Sequence, residues 1–265
     1  MTYPKKSQGR IIQSVERAIN ALKLFLGNEE ELGIKDFARE LDLPKPTIYG
    51  LINTLTAHEL LEQNPKNAKY HLGPVLLRLG LQYARQSDLL TTVRVHAERL
   101  CYKFGKSVNL CMLVGGQVVV VYKVEPDQAV IAYPEVGSVI SIHNTANGKM
   151  LLAHAAPETQ GEILAEHNHL ESGGDTSPAD FHAELVRIKK EKISFSQGEG
   201  ISGAHAISGP IYNHRNQVVA AFAISGKERF FKENQDRVVG DVKKTAQAIS
   251  NHLGYKGIIY TESQD

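Results

Sequence analysis

Cysteine is nearly absent from this chain of 265 residues, which has only Cys101 and Cys111. Two thiols cannot staple a protein of this length, so a disulfide framework is excluded and a reducing compartment fits. Neither sign of charge is in excess. The 30 Lys and Arg against 29 Asp and Glu leave a formal charge of +1. A nucleic-acid partner must therefore be argued from local chemistry, not from the net field. Long apolar runs are missing too. The longest, residues 118–122 and 218–224, have strand length and fall far short of a membrane span. The opening ten residues are polar and basic with no apolar stretch, which reads against a secretory signal and for the cytoplasm. There is no internal repeat and no low-complexity stretch. With 42% hydrophobic and 22% charged residues, the composition is ordinary and globular, excluding disorder, collagen and coiled-coil fibre. At about 150 residues per domain the length suggests two domains.

Residues 1–73 read as small helices closed by a hairpin. Ser14 is placed to cap a helix on which Val15, Ile19, Leu22 and Phe25 share a stripe. Residues 34–41 form a short helix with Phe37, Ala38 and Leu41 inward. A tight turn at 42–45 leads to a third helix starting near Pro46, a residue tolerated in a first turn. Its Ile48, Leu51, Ile52 and Leu55 follow the i, i+3, i+4, i+7 rule. Residues 61–64 and 69–72 pair as strands around Pro65-Lys66-Asn67. A linker helix, apolar around much of its circumference, spans 74–86 within a linker taken as 74–88. The second domain covers 89–254: a helix at 89–104, strands at 108–114 and 117–124 around Gly115-Gly116, and a third strand at 130–133. Helices follow at 145–155, 157–165 and 179–192, then strands at 204–212 and 217–225 and a closing helix at 232–252. The class is α+β. The tail, 255–265, is expected to fray.

Two short helices, a four-residue turn and a hairpin make a winged helix-turn-helix, whose second helix fits a major groove. Away from the apolar stripe lie Pro46, Gly50, Asn53 and Thr54, flanked by Thr47 and Tyr49. Asn53 can pair bidentately with adenine; Thr47 and Thr54 can bond phosphates or touch a thymine methyl. Lys45, at the helix start, suits phosphate or guanine. Lys66 and Lys69 on the wing and a basic arm of Lys5, Lys6 and Arg10 are placed for the backbone or minor groove. Each of these is also what an ordinary solvated surface carries. Residues 1–73 hold ten Lys and Arg against nine Asp and Glu, a difference of only +1. The acids Glu29, Glu30 and Glu31 share one loop, expected to face away from DNA.

The segments Ser14-Val15-Glu16-Arg17-Ala18, Leu43-Pro44-Lys45-Pro46-Thr47-Ile48-Tyr49 and Tyr70-His71-Leu72-Gly73 occur in this order. They are followed by the run from His143 to Ala153, then Glu199, Gly203 and Ala206-Ile207-Ser208-Gly209-Pro210-Ile211. Together they resemble the isocitrate-lyase-regulator (IclR) family of bacterial transcription factors, over about 12–254. The resemblance implies an N-terminal winged helix, a linker helix and a C-terminal GAF-like effector-binding domain. It implies a non-enzyme without cofactors that binds promoter DNA as a homodimer or dimer of dimers, more often as a repressor, under control of a small organic acid. Two positions depart from the family. Gly50 stands where Arg is frequent and Pro46 where Ser is. Either the backbone comes close to DNA at Gly50, or the helix reads its operator through Asn53, Thr47 and Tyr49.

By position, the resemblance puts the effector pocket at the loop Asn144, Thr145, Ala146 and Asn147 and at strand residues Ala206, Ser208, Ala223 and Ser225, with Ser196 beside them. Ser196 and Ala206 replace an acid and a cysteine of some members, so the pocket is less polar than in carboxylate-sensing relatives. Met112, Val120, Ile131 and Tyr133 supply apolar walls. Asn144, Thr145 and Asn147, with the amides of a helix N-terminus, can hold a carboxylate without Arg; equally, they can simply cap that helix.

Three rivals stay in view. Eleven histidines, among them His167 and His169, raise zinc, but no acidic or cysteine cluster joins them at ligand spacing. Ser202 lacks the Gly-x-Ser-x-Gly elbow, and Glu199 has no paired acid, base or nucleophile in the sequence. The third rival is a metabolite sensor whose reader domain is silent.

Overall fold

Three hydrophobic clusters, one in the first unit and two on the faces of the second unit's sheet, organise the computed structural model, which describes residues 11–27, 29–127, 133–167, 178–199 and 203–260. The chain divides between Gln86 and Ser87 into two units.

The first unit runs α1 (Gln13–Lys23), a 3-10 turn (Leu24–Leu26), α2 (Ile34–Leu41), α3 (Lys45–Ala57), β1 (Leu61–Gln63), β2 (Tyr70–Leu72) and α4 (Pro74–Gln86). Helix α1 starts one residue before Ser14, with Ile12 as its uncapped flank, so Ser14 lies inside the helix and does not cap it. The stripe expected on α1 also splits. Ala21 is buried and Ala18, Leu22 and Phe25 pack against the core, while Val15 and Ile19 stay exposed. Helix α2 is tied at its start by the Asp36 carboxylate, which accepts the Gly33 N–H at 2.9 Å. It ends at Asp42, whose left-handed φ of 48° turns the chain into α3. Pro46 sits in the first turn of α3, where a missing N–H costs nothing. Phe37, Ile48, Ile52 and Leu61 are fully buried, and the Phe25 ring meets Phe37 edge-on at 5.8 Å. Strands β1 and β2 pair antiparallel, Leu61 opposite Leu72. Leu32 adds an isolated bridge on the other edge of β2, exchanging both backbone hydrogen bonds with Tyr70 at 2.9 and 2.8 Å. No residue of α4 is buried within the chain, and Leu77, Leu79 and Leu81 are exposed.

The second unit begins with α5 (Asp88–Phe104), whose N-terminus is capped by the Ser87 hydroxyl accepting from Leu90 N–H at 3.3 Å. There follow β3 (Ser107–Val114), β4 (Gln117–Val124), β5 (Val139–Ile140), α6 (Ala146–His154), α7 (Pro157–His167), α8 (Pro178–Glu191), β6 (Ser194–Gln197), β7 (Ala204–Tyr212), β8 (Val218–Lys227) and α9 (Glu228–His252). One antiparallel sheet has the order β5-β4-β3-β8-β7-β6. Period-two alternation gives it two apolar faces. Leu110, Met112, Ile207, Phe222 and Ile224 meet residues of α5 and α9 such as Ala97, Val238 and Ala246. Cys111, Val118, Val120 and Ala221 meet Met150, Leu152, Leu185 and Ile188 of α6 and α8.

Several boundaries differ from expectation. Strand β6 falls where no element was expected, because its four residues, Ser-Phe-Ser-Gln, carry a single large apolar side chain. Helix α9 begins at Glu228, four residues early. Of the strand expected at 130–133, residues 130–132 lie outside the described residues and Tyr133 belongs to no strand; β5 forms that edge instead. The tail is tied down as far as Tyr260. Gln247 accepts the Ile259 N–H at 2.7 Å, Lys192 donates to Ile259 O at 2.8 Å, and the Tyr260 hydroxyl donates to Lys192 O at 2.9 Å.

Candidate functional site

In the first unit, burial of Ile48, Ile52 and Leu55 fixes which side of α3 faces water. Lys45, Pro46, Tyr49, Gly50, Asn53 and Thr54 are exposed along the other side and Thr47 is half-buried. The predicted polar ridge is therefore one continuous surface. Thr54 is less free than expected: its hydroxyl donates to Gly50 O at 2.8 Å, so it faces a partner only as an acceptor. A Cβ added at Gly50 would meet nothing within 4 Å. Lys66 and Lys69 are exposed at the tip of the wing. The arm residues Lys5, Lys6 and Arg10 lie outside the described residues. Glu31 does not face away from the wing; its carboxylate accepts Nδ2 of Asn64 at 2.7 Å and of Asn67 at 2.6 Å.

In the second unit, Asn109 of β3, Ala223 of β8 and Ser208 of β7 stand in one row across the sheet. Asn147 of α6 lies over this row. Its Nδ2 donates to Asn109 Oδ1 at 2.6 Å and contacts Cys111 Sγ at 3.2 Å, and its Oδ1 accepts the Ser208 hydroxyl at 2.6 Å. The methyl of Ala223 is small enough to let one side chain bridge two strands that are not neighbours. Asn109, Asn147 and Ser208 are buried. The Tyr133 hydroxyl joins Cys111 and Asn147, and burial raises its pKa well above the ordinary tyrosine value. Burial likewise pushes the Cys111 thiol up to about 12 despite the hydrogen bonds from Asn147 and Tyr133. One donor of the cluster, Asn109 Nδ2, is buried without a hydrogen-bond partner.

The two readings of the 144–147 loop divide between residues. Thr145 caps: its hydroxyl accepts Gly148 N–H at 3.1 Å and donates to Ser141 O at 2.6 Å. Asn147 is no cap; it belongs to the buried cluster. Asn144 contributes backbone, its N–H to the Ser141 hydroxyl at 3.2 Å and its carbonyl to the Ser196 hydroxyl at 3.2 Å. Gly148 fits because a Cβ there would lie 2.5 Å from Ser141 O. Ala206, Ala223 and Ser225 alternate onto the cluster side of the sheet, and the Ser225 hydroxyl donates to Ser107 O at 3.4 Å. Met112 does not line this side. It packs among the residues facing α5 and α9, because one step from Cys111 along a strand reverses the face. Ile131 lies outside the described residues.

Beyond Ser196 lies a cleft of about 350 Å³ lined by Lys149, Glu184, Arg187, Gln197 and Glu199 among others. Lys149, nearly fully buried, reaches Glu184 at 2.9 Å and Glu199 at 3.5 Å. Burial raises the Glu199 carboxyl. The N–H groups of Glu199 and Gln197, the Lys149 ammonium and the Ser196 hydroxyl pull it down further, so it ends below the usual carboxylate value. Sequence reading missed Asn109, Glu184 and the role of Lys149. Only the Gly148-Lys149 pair hinted at the last, since a lysine amid Met150, Leu151 and Leu152 on a buried helix requires a counter-ion. Among the described residues no group of three or more His, Cys, Asp or Glu is arranged to hold a metal. His169 and Ser202 lie outside them.

A winged helix-turn-helix unit followed by a sheet with a buried polar cluster under one helix defines a two-part protein, one part exposing a ridge and the other enclosing polar groups. The chain belongs to the IclR family of bacterial transcriptional regulators. The family's bacterial transcriptional regulator C-terminal domain matches residues 81–251 and its helix-turn-helix domain matches 14–65. The HTH-type transcriptional regulator XynR of Escherichia coli K12 is 30% identical over 251 residues, covering 92% of this chain and 98% of that one. An IclR transcriptional regulator from a Silicibacter species has the same fold, with a TM-score of 0.81 at 23% identity over 91% of this chain and 96% of that one. An IclR homolog from Microbacterium hydrocarbonoxydans, solved with 4-hydroxybenzoate, gives 0.72 at 22% identity, over 91% and 98%. Among the described residues no helix is long and apolar enough to cross a membrane.

Proposed function

We propose that this regulator reads promoter DNA through α3 and the wing, and that a small organic acid held over Ala223 shifts its affinity for that DNA. The observation that carries the reading is the pairing of an exposed polar ridge in one unit with a buried, donor-bearing cluster in the other. On the ridge, Asn53 reads adenine, Thr47 and Tyr49 flank it, and Lys45, Lys66 and Lys69 meet phosphates. In the cluster, the unpartnered Asn109 Nδ2 and the positive end of α6 favour an acceptor-rich ligand. Tyr133, Asn147 and Ser208 belong to the same cluster, and Ser225 lies on the same side of the sheet. We place the way in at the cleft by Lys149 and Glu199, where the Ser196 hydroxyl donates to Glu199 at 3.0 Å. The relative solved with 4-hydroxybenzoate supports a carboxylate of modest size.

The exposed apolar residues of α1 and α4, Val15, Ile19, Leu77 and Leu79, support pairing of copies as a homodimer or dimer of dimers. Half-sites about one helical turn apart follow from such pairing. A regulator that acts on DNA works in the cytoplasm, and nothing in the reading requires catalysis, metal or cofactor.

The test is fluorescence anisotropy on labelled DNA from upstream of its own gene, over a salt series. Specific binding whose logarithm falls linearly with the logarithm of salt is expected. Asn53→Ala should relax the base preference at one position with the salt slope unchanged. A protein that binds neither this DNA nor random duplex at low salt is the silent sensor. A thermal-shift screen tests the ligand class: stabilisation by neutral sugars and by no carboxylate overturns the acid. A promoter reporter fixes the direction. Repression, which the family resemblance implies, predicts higher expression when the gene is deleted.

A further inference from the structure

The wing tip is built as a clasp. In the turn between β1 and β2, Asn64 Oδ1 accepts the Lys66 N–H at 2.9 Å and Asn67 Oδ1 accepts the Lys69 N–H at 2.9 Å. Each asparagine thus fixes the backbone of a lysine two residues on. The same two side chains have their amide nitrogens committed to a single group. Asn64 Nδ2 donates to Glu31 Oε1 at 2.7 Å and Asn67 Nδ2 to Glu31 Oε2 at 2.6 Å. Glu31 is more than thirty residues away in sequence. It is brought to the wing by its neighbour Leu32, which pairs with Tyr70 as an isolated bridge on the other edge of β2. Gln63 closes the turn from the other side, donating to Ala68 O at 3.0 Å. Ala68 itself holds a left-handed φ of 58°, a conformation that a non-glycine residue keeps only when its surroundings impose it.

We propose that Glu31 is a positioning residue for DNA binding: a carboxylate that strengthens the hold on a polyanion by locking the asparagines that present Lys66 and Lys69. The inference rests on the DNA-reading function proposed above. It runs against simple electrostatics, and that makes it testable. An acid near a DNA-facing surface repels phosphates, so its removal should tighten binding if charge alone acts. If the clasp acts, its removal frees the turn. The lysines then have to be ordered at the moment of binding, and affinity falls. Glu29 and Glu30 lie in the same loop and are exposed, and among the described residues neither hydrogen-bonds the wing, so they serve as charge-matched controls.

The experiment measures affinity for a random 30-base-pair duplex by anisotropy over a salt series. It uses the full chain and Glu31→Ala, Asn67→Ala, Glu29→Ala and Lys66→Ala/Lys69→Ala. Glu31→Ala and Asn67→Ala should each weaken binding about three- to tenfold. They should also flatten the salt slope, in the direction of the double lysine variant, which loses roughly 0.9 per phosphate contact. Glu29→Ala should bind as well as or better than the parent. Added to the double lysine variant, Glu31→Ala should no longer weaken binding. The circular-dichroism melting curve of each variant separates loss of the clasp from loss of the fold, and Asn67→Ala gives the same reading without a change of charge. Glu31→Ala binding as tightly as Glu29→Ala, or weakening binding equally without the two lysines, overturns the proposal. A parent chain that does not bind the duplex at all overturns instead the reading on which it rests.

Discussion

The Lys149 ammonium inside α6 lies 2.9 Å from Glu184 Oε1 of α8, with the lysine side chain only 5% exposed and the glutamate 23% exposed. Helix α6 therefore carries a cation through an apolar layer formed by Met150, Leu152 and Leu185. Removing one partner of such a pair leaves a charge in a poor solvent. Glu199 remains at 3.5 Å to share the burden. Glu184→Leu should cost about 1–3 kcal/mol, less than a wholly buried pair would. Lys149→Met combined with Glu184→Leu should recover much of the loss, because no unpaired charge is then buried. Urea midpoints of the three variants check the order.

Two helical glycines should behave oppositely. At Gly148 a Cβ would lie 2.5 Å from Ser141 O and 2.6 Å from Ile142 Cα, both backbone. Gly148→Ala must push α6 off the preceding turn, and a loss above about 3 kcal/mol, or no soluble protein, is expected. At Gly50 nothing stands in the way, and the residue sits mid-helix and exposed. Gly50→Ala should stabilise the first unit by about 1 kcal/mol. DNA affinity unchanged in that variant would assign reading to Asn53 and its neighbours. Affinity lost would mean that the backbone itself approaches the duplex there.

Helices α2 and α3, the hairpin, α4, the strand pair at 107–124 and the helix pattern of the second unit were legible from apolar spacing and glycine turns. What was not legible has several physical causes. Met112 and Asn109 differ by three steps on a strand, and period two sends them to opposite faces, yet the apolar run around them hides which face is which. Strand β6 is too short and too polar to announce itself. Glu31 reads as one acid in a loop until Leu32 pairs with Tyr70. Asn147 reads as a cap because sequence shows it beside Thr145, and only the fold shows it over Ala223.

His154 gives the second unit a dependence on pH. Its Nδ1 donates to Met150 O at 3.0 Å, its Nε2 is buried with no partner, and its ring meets Tyr212 edge-on. Burial holds its pKa below the usual histidine value; the Met150 bond raises it in part, and Lys189 and Lys192 lower it again. The unfolded chain therefore takes up the proton first. The stability this neutral ring contributes is complete above about pH 6.5 and is lost as pH falls from there through the folded value. Urea midpoints at pH 7.5 and 5.5 should fall more steeply for the parent than for His154→Leu. Equal slopes would show that this ring does not set the acid limb.

The bridge of Asn147 across Ala223 has a consequence for sensing. The polar groups above that methyl already spend most of their hydrogen bonds on each other, so the ligand proposed above finds one vacant donor, Asn109 Nδ2, and otherwise has to replace existing partners. Its grip is the difference between two sets of bonds, and this favours modest affinity, quick release and a response that follows concentration. The bonds it would displace, to β3 on one side and β7 on the other, help to hold α6 to the sheet, beside the packing of Met150 and Leu152. Occupancy would thus be felt first as a loosened helix.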